Sequence, residues 1–270
     1  MQRVWQSLKA LWRLLLAHMV RQRTAHAATA GAERRSVLLG SKTVHLDVTR
    51  FGSGGLRYIN LHENETTSVQ AAEWVLSHGA GQLIVLRGGG QRLLVFWDRL
   101  RPYAFDPNRI FTDAGLRRTL QFHASDTPRA RAAVQVLRDA VLALLEGRPD
   151  EPVVALHNNR GGAYSVRSYE SGAVLAADAQ ALAMGAGKAQ EDFFLVTRRF
   201  LFEPLREAGF STVWQSDKAD DDGSLSIHFQ RMGRAYVNVE AHADHLDEQR
   251  RMLAAVAAMA KTVSPAETAP

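Results

Sequence analysis

The sequence predicts an α/β fold, with a mixed central sheet flanked by helices in an α/β/α sandwich. Apolar runs typical of strands alternate with amphipathic runs typical of helices over most of the chain. Strand-like runs lie next to each other at 83–97 and at 225–239, which predicts hairpins and therefore a mixed sheet. The chain has 270 residues, 46% of them hydrophobic, which is enough for a sizeable core.

Each predicted element rests on a local pattern. Strands are predicted from short apolar or alternating runs at 44–48, 56–61, 83–86, 93–97, 153–156, 193–196, 225–230 and 235–239. Helices are predicted from longer runs at 67–78, 129–146 and 244–261, with one further helix that ends at 208. Gly88, Gly89 and Gly90 predict a tight turn and not a phosphate-binding loop, since no helical pattern follows them.

The positive charge of the chain is concentrated at its beginning. Residues 1–35 hold seven Lys and Arg residues and one acid, so this segment carries +6 and the rest of the chain carries −1. A nearly neutral body gives little support to nucleic-acid binding, although the pI is about 9.8. We predict a basic N-terminal segment over 1–35, whose residues 24–35 are a linker, a main domain over 36–262 and a tail over 263–270.

The N-terminal segment leaves three interpretations open. Its apolar run at 10–20 contains Arg13 and His18, and is too short and too interrupted to span a membrane. A basic start and small residues at 24–28 are typical of an export signal, which predicts a periplasmic protein; without export it would be cytoplasmic. Residues 1–23 also fit a basic amphipathic helix that contacts a membrane surface or a partner, and the third interpretation is a disordered tail.

Three residues are candidate metal ligands at the carboxyl edge of the sheet, where α/β folds bind ligands. The chain has no cysteine, so a metal site must use His, Asp or Glu. His62 and Glu65 lie three residues apart at a predicted strand-to-helix turn, where both can reach one ion. His157 follows the strand at 153–156 and completes a set of ligands typical of catalytic zinc. The structural alternatives are that His62 is a surface residue, that Glu65 is an acid in the first turn of a helix, and that His157 is a core histidine.

Two further segments carry candidate functional residues. Asn108 and Arg109 combine an amide with a fork-shaped guanidinium that can hold a substrate carboxylate; the alternative is an Asx-type turn with an exposed arginine. Glu240 follows the strand at 235–239 and, if buried beside a metal, would act as general base and then as acid; the alternative is a surface glutamate. Tyr164 either borders the site or is an ordinary core or surface tyrosine.

The order of these segments resembles the zinc carboxypeptidase superfamily, in particular its aspartoacylase and succinylglutamate desuccinylase branch. Residues 62–65, His-Glu-Asn-Glu, resemble the His-Gly-Asn-Glu motif that supplies two zinc ligands there. Residues 106–111, Asp-Pro-Asn-Arg-Ile-Phe, resemble the Asp-Leu-Asn-Arg-x-Phe motif that binds the substrate carboxylate. Residues 155–158, Ala-Leu-His-Asn, resemble the Asp-Leu-His-Asn motif with the last ligand. The resemblance makes Glu240 the general base and Arg101 the arginine that polarises the scissile carbonyl.

The resemblance implies a zinc-dependent hydrolase, with the catalytic domain over 36–262, that cleaves an amide bond next to a free carboxylate. Its substrate would be a small molecule or a peptide, such as a peptidoglycan stem. The alternatives are an N-acyl amino acid deacylase of the aspartoacylase type and a non-catalytic module that binds a carboxylate ligand.

Three departures from the branch affect this expectation. Glu63 stands where the branch has glycine, which would put an extra acid near the metal. Ala155 stands where the branch has an acid, so a supporting contact is expected to be missing. The sequence after Glu240 is too short for the C-terminal domain of that branch, which predicts a more open cleft.

Overall fold

A computed structural model describes residues 29–162 and 164–263 of the chain. Within these ranges the centre is a mixed sheet of nine strands, beside which lies a sheet of two strands. The strands are β1 (Thr29–Leu39), β2 (Lys42–Phe51), β3 (Leu56–Asn60), β4 (Gly81–Arg87), β5 (Leu94–Asp98), β6 (Arg101–Phe105), β7 (Val153–Asn159), β8 (Ala179–Ala183), β9 (Phe193–Val196), β10 (Ser211–Gln215) and β11 (Tyr236–His242). The order in the large sheet is β1-β2-β4-β3-β7-β11-β9-β10-β8, and β5 pairs with β6.

Helices cover both faces of the large sheet. They are α1 (Thr66–Ser77), α2 (Asp113–Phe122), α3 (Pro128–Leu144), α4 (Arg199–Glu207), α5 (Leu225–Arg231) and α6 (Leu246–Val263). One hydrophobic core joins α2, α3 and α5 to the face that carries Ile59 and Ala155. The other core joins α1, α4 and α6 to the face that carries Tyr58 and Val154. Because successive strand residues point to opposite faces, the two cores form the predicted sandwich, and the fold class is confirmed.

Three neighbouring strands in the middle of the sheet run in parallel and end at the same edge. β3 pairs with β7, and β7 pairs with β11. In this register Glu240 lies beside His157, so both side chains project from the same face of the sheet. His62 follows β3 at the same edge. The fold therefore collects residues from three distant parts of the chain at the edge where a ligand site was expected.

Both predicted hairpins are wrong. The run at 83–97 divides between β4, which belongs to the large sheet, and β5, which pairs with β6. The run at 225–230 forms α5, whose first turn is capped because the Ser224 hydroxyl accepts a hydrogen bond from the amide of Ile227. Leu225 and Phe229 lie in one core, since a spacing of four residues also fits one face of a helix. The sheet is mixed because β1, β2 and β4 pair antiparallel, as do β9 and β11.

Some boundaries differ from the sequence-based expectation. Residues 29–35, expected to belong to a linker, form the first part of β1, so the boundary expected at residue 36 falls inside a strand. β7 continues through His157 instead of ending before it. The patterns also do not predict β6, β8, β10 or α2.

The predictions for the two ends of the chain concern residues that lie outside the described ranges. These predictions are the export signal, the membrane-surface helix over 1–23 and most of the tail over 263–270. Among the described helices, no segment is both long enough and apolar enough to cross a membrane.

Candidate metal centre

The structure brings His62, Glu65 and His157 together in the protein interior. One ligand atom from each side chain lies within 4.8 Å of the other two. Glu65 stands between the two histidines, with its Oε1 3.0 Å from Nδ1 of His62 and its Oε2 3.0 Å from Nδ1 of His157. All three residues are almost completely buried. The arrangement is a carboxylate shared by two imidazoles, as the His-x-x-Glu spacing and the position of His157 predicted.

A tight turn between β3 and α1 places the first two of these side chains. The amide of Glu65 donates a hydrogen bond to the carbonyl of His62 at 2.9 Å, which closes the turn and brings both side chains to one side. β7 lies next to β3 and supplies His157 from the adjacent strand. The backbone amide of Asn158 also donates to Oε2 of Glu65, at 3.2 Å. The position of the carboxylate is thus fixed by local backbone structure on both sides.

Each histidine is held by a partner outside the cluster. Nε2 of His62 lies 2.8 Å from Oδ1 of Asp106. A carboxylate that accepts a hydrogen bond from Nε2 leaves the Nδ1 lone pair free to bind a metal. The backbone carbonyl of His157 accepts a hydrogen bond from Nε2 of Gln249 at 2.9 Å, and Oε1 of Gln249 accepts one from Asn158 at 2.8 Å. These contacts limit the movement of the His62 ring and of the backbone that carries His157.

The donor set fits a divalent metal ion. Nδ1 of His62 is buried and has no hydrogen-bond partner among the described residues. Oε1 of Glu65 lies 3.0 Å from it. A buried nitrogen without a partner is unfavourable, and a cation between the nitrogen and the carboxylate would satisfy both. Two imidazole nitrogens and one carboxylate oxygen are ligands that such cations accept. His62, Glu65 and His157 therefore form a candidate metal site.

The charges in this cluster shift the pKa values in opposite directions. Burial raises the pKa of the Glu65 carboxyl, but the two histidines outweigh burial and hold that pKa well below its usual range. Burial lowers the pKa of His62, but the hydrogen bond with Asp106 and the attraction of the Glu65 and Asp106 carboxylates outweigh burial and leave the pKa above its ordinary value of 6.5. The cluster therefore favours an ionised Glu65 carboxylate and shifts His62 toward its protonated form.

Glu240 lies beside this cluster with a different environment. It is 7% exposed and accepts a hydrogen bond from Nδ2 of Asn238 at 3.2 Å. Burial raises its pKa, and the attraction of His157 only partly offsets that effect. Glu240 borders the same cavity as Glu65 and His157. A carboxylate with a raised pKa at this place is suited to accept and return a proton.

The cavity at this edge of the sheet has a volume of about 1320 Å³. Asn108 and Arg109 line it, as does Tyr164, for which the sequence left two interpretations open. The Arg109 guanidinium donates to the carbonyl of Asn108 at 2.9 Å and lies 3.5 Å from Oδ2 of Asp222. The structure thus places the predicted carboxylate-binding pair in the cavity of the metal centre.

Arg101 is the predicted site residue that the structure does not bring to this cavity. It begins β6, where its guanidinium donates to the carbonyl of Ala124 at 3.1 Å and lies over the ring of Tyr103. Arg92 lies beside the centre instead, with its guanidinium 2.8 Å from Oε1 of Glu65 and 3.5 Å from Oδ2 of Asp106. β5 and β6 form a separate sheet, and this arrangement separates the two arginines.

Sequence reasoning also missed the contact between Asp106 and His62. The sequence places Asp106 in the segment 106–111 and allows an Asx-type turn, which Asp106 does form by accepting the amide of Asn108 at 2.8 Å. Its other contact, with Nε2 of His62, depends on long-range packing. An acid close to a predicted carboxylate-binding arginine is the signal that could have suggested a second role.

Of the two positions that depart from the branch, Glu63 does not act as the sequence suggested. The Glu63 carboxylate does not approach the metal ligands; its Oε2 accepts the amides of Gly88, Gly89 and Gly90. The triple glycine is therefore an anion-binding turn, but the anion is a side chain of the same protein. Ala155 lies in the hydrophobic core, and its neighbours in the sheet cover it.

Comparisons with known proteins give no family assignment. No protein-family model matches the chain, and no curated protein matches it. A solved structure of "a putative metallopeptidase" from Shewanella amazonensis SB2B is similar at 15% identity and a TM-score of 0.42, over 94% of this chain and 91% of that one. A second solved structure of "a putative metallopeptidase", from Shewanella denitrificans OS217, is similar at 11% identity and a TM-score of 0.43, over 90% of this chain and 88% of that one. At these values neither similarity bears on activity.

Removal of one ligand should abolish tight metal binding. We expect His157→Ala to weaken zinc affinity by more than about 100-fold, since loss even of an outer partner of a ligand costs about 10- to 100-fold. His245→Ala is the matched control, because His245 also pairs with a buried acid, Asp192, at 2.8 Å but lies outside the cluster. Competition with a chelator measures both affinities. Wild-type affinity in His157→Ala would remove this residue from the ligand set.

Metal affinity should also depend on pH through His62. A protonated His62 cannot bind a metal, so affinity should rise about tenfold per pH unit below its pKa and level off above it. Because that pKa is raised, we expect the break above pH 6.5. Asp106→Asn removes the negative charge that raises the pKa, so the break should move to lower pH. Chelator competition between pH 5 and 9 measures it, and a break that does not respond to Asp106→Asn contradicts the assignment.

Proposed function

We propose that the protein is a zinc-dependent hydrolase that cleaves an amide bond next to a free carboxylate. The observation that carries the proposal is the cluster of His62, Glu65 and His157, of which Glu65 and His157 line the same cavity as Glu240. Arg109 in the same cavity supports a substrate with a carboxylate.

Zinc fits this ligand set better than other common metals. Calcium and magnesium prefer oxygen ligands, whereas zinc accepts the combination of two imidazoles and one carboxylate. Such an ion supplies Lewis-acid polarisation of the substrate carbonyl and makes water a stronger nucleophile near neutral pH. His62, Glu65 and His157 would hold it, and Asp106 would orient the His62 ring.

Glu240 is the residue best placed to move the proton. It lies next to His157 on the adjacent strand and borders the cavity. Its raised pKa favours proton uptake from the attacking water, and the same carboxyl can then protonate the leaving amine. Asn238 holds one carboxylate oxygen, which leaves the other available for this transfer.

Arg92 takes the role that the sequence gave to Arg101. Its guanidinium lies at the metal centre, beside Glu65, and it lines the cavity. A guanidinium at this position can donate hydrogen bonds to the oxygen of the substrate carbonyl as negative charge develops there. Its side chain is 49% exposed, so it can move from Glu65 to the substrate without disrupting the core.

Asn108 and Arg109 would fix the orientation of the substrate. A bidentate contact between the guanidinium and a carboxylate positions the scissile bond relative to Glu240. Asp222 lies 3.5 Å from Arg109, so the arginine already has a weak carboxylate contact that a substrate carboxylate can replace.

The size of the cavity favours a peptide end or a peptidoglycan stem over a small metabolite. A volume of about 1320 Å³ exceeds the range of roughly 300–1,000 Å³ for sites of drug-sized ligands. The same catalytic groups would also serve an N-acyl amino acid deacylase, which is the alternative. Glu63 and Ala155, the substitutions that suggested a binding module, both have structural contacts away from the ligands.

The direct test is hydrolysis of N-acyl dipeptides by the zinc-loaded protein. We expect turnover of substrates with a free terminal carboxylate and much slower turnover of the matching amides. Glu240→Gln should lower kcat by about 10²- to 10⁴-fold, the usual contribution of a general acid–base group, with unchanged zinc content. Asp244→Asn, an exposed acid of the same cavity, is the control. Activity of Glu240→Gln within a few-fold of wild type would contradict the proposed role.

The two arginines can be separated by mutation. Arg92→Ala should lower kcat by about 10²- to 10³-fold, as expected when one donor to a developing oxyanion is lost. Arg101→Ala should leave kcat within about threefold, because an exposed side chain away from the cavity contributes little. Steady-state kinetics on one dipeptide substrate measures both. The opposite order would support the role that the sequence resemblance gave to Arg101.

A further inference from the structure

We propose that Glu63 is a positioning residue that holds the loop over residues 88–93 so that Arg92 faces the metal centre. The inference rests on the proposed function, because it deepens the role of Arg92 in that site. It starts from an unusual contact: one oxygen of the Glu63 carboxylate accepts three consecutive backbone amides. The distances from Oε2 to the amide nitrogens of Gly88, Gly89 and Gly90 are 2.8, 2.8 and 2.6 Å.

The backbone of this turn favours glycine at two of its three positions. Gly89 has a φ of 111° and Gly90 a φ of 73°, backbone conformations that other residues rarely adopt. A Cβ at Gly88 would lie 2.0 Å from Cδ2 of Leu94. The three amides can therefore converge on one oxygen, and together they form a concave binding site for an anion.

The turn is fixed at further points. Nζ of Lys42 donates to the carbonyl of Gly88 at 2.5 Å, and the Arg87 guanidinium lies 3.7 Å from Oε1 of Glu63. Glu63 itself belongs to the tight turn that carries His62 and Glu65. The glycine loop is thus tied to the same backbone segment that supplies two metal ligands.

Arg92 follows this fixed turn by two residues. Its guanidinium spans Glu65 and Asp106, at 2.8 and 3.5 Å. A half-exposed arginine on a free loop would lose much side-chain entropy when it adopts one orientation. A loop held by Glu63 already confines the backbone of Arg92, so that only the freedom of its side chain remains to be lost. The turn between β3 and α1 thus contacts the glycine loop through Glu63 and the Arg92 guanidinium through Glu65.

The first test is the protection of the glycine amides, which does not depend on activity. In Glu63→Gln the charge that holds three amides is lost, so we expect hydrogen exchange at Gly88, Gly89 and Gly90 to accelerate by at least about tenfold. Glu151→Gln is the matched control: its carboxylate is 22% exposed, against 20% for Glu63, and it pairs with Arg57 at 2.9 Å far along the chain. Unchanged exchange in Glu63→Gln would overturn the proposal.

The second test shows whether Glu63 acts through Arg92. We expect Glu63→Gln to lower kcat by about 10- to 100-fold, with KM within about threefold and unchanged zinc affinity. In the Arg92→Ala background the same change should cost less than about twofold more, because the two residues act as a unit. Full additivity of the two losses would overturn the inference. Thermal unfolding of every variant identifies any change in kcat that comes from loss of the fold.

The failure of this inference is distinguishable from failure of the proposed function. If the wild-type protein hydrolyses no free-carboxylate amide, the proposed function is wrong, and the exchange experiment still reports whether Glu63 holds the loop. If the protein hydrolyses such substrates but Glu63→Gln keeps wild-type kcat, only the positioning role is wrong.

Discussion

A buried negative charge between two buried imidazoles is the feature on which the rest of the site depends. Glu65 is 4% exposed, and ionised carboxylates are costly to remove from water, by several kcal/mol when they are not compensated. The compensation comes from His62, His157 and Arg92, which all lie within 3.0 Å of its oxygens. Because its pKa is held low, this carboxyl stays ionised and need not lose a proton before it binds a cation.

The parallel strands β3, β7 and β11 allow two buried carboxylates to have different properties. Glu65 lies against two imidazoles and the Arg92 guanidinium and stays ionised, whereas Glu240 lies on β11, two strands away from β3, where burial raises its pKa. Environments that separate the pKa values of two acids are typical of sites in which the acids have different roles. This difference supports the proposed ligand role of Glu65 and the proposed proton-transfer role of Glu240.

The sequence could predict the parts of the site that depend on local structure. The turn from β3 into α1 is set by the five residues between these two elements, so the spacing of His62 and Glu65, together with the order of the other segments, could predict their pairing. The choice between Arg92 and Arg101 could not be predicted, since it depends on β5 pairing with β6 outside the large sheet. Alternation at 225–230 was misleading because a helix as short as α5 does not establish a period.

We propose that a metal ion binds between His62, Glu65 and His157. Anomalous X-ray diffraction at the zinc edge, from a crystal of the zinc-loaded protein, locates the ion without reference to activity. We expect one strong peak about 2.0–2.2 Å from Nδ1 of both histidines and from an oxygen of Glu65, with Arg92 displaced from that oxygen. A peak at another cluster, such as His242 and His245, or no peak at all with Arg92 still on Glu65, would contradict it.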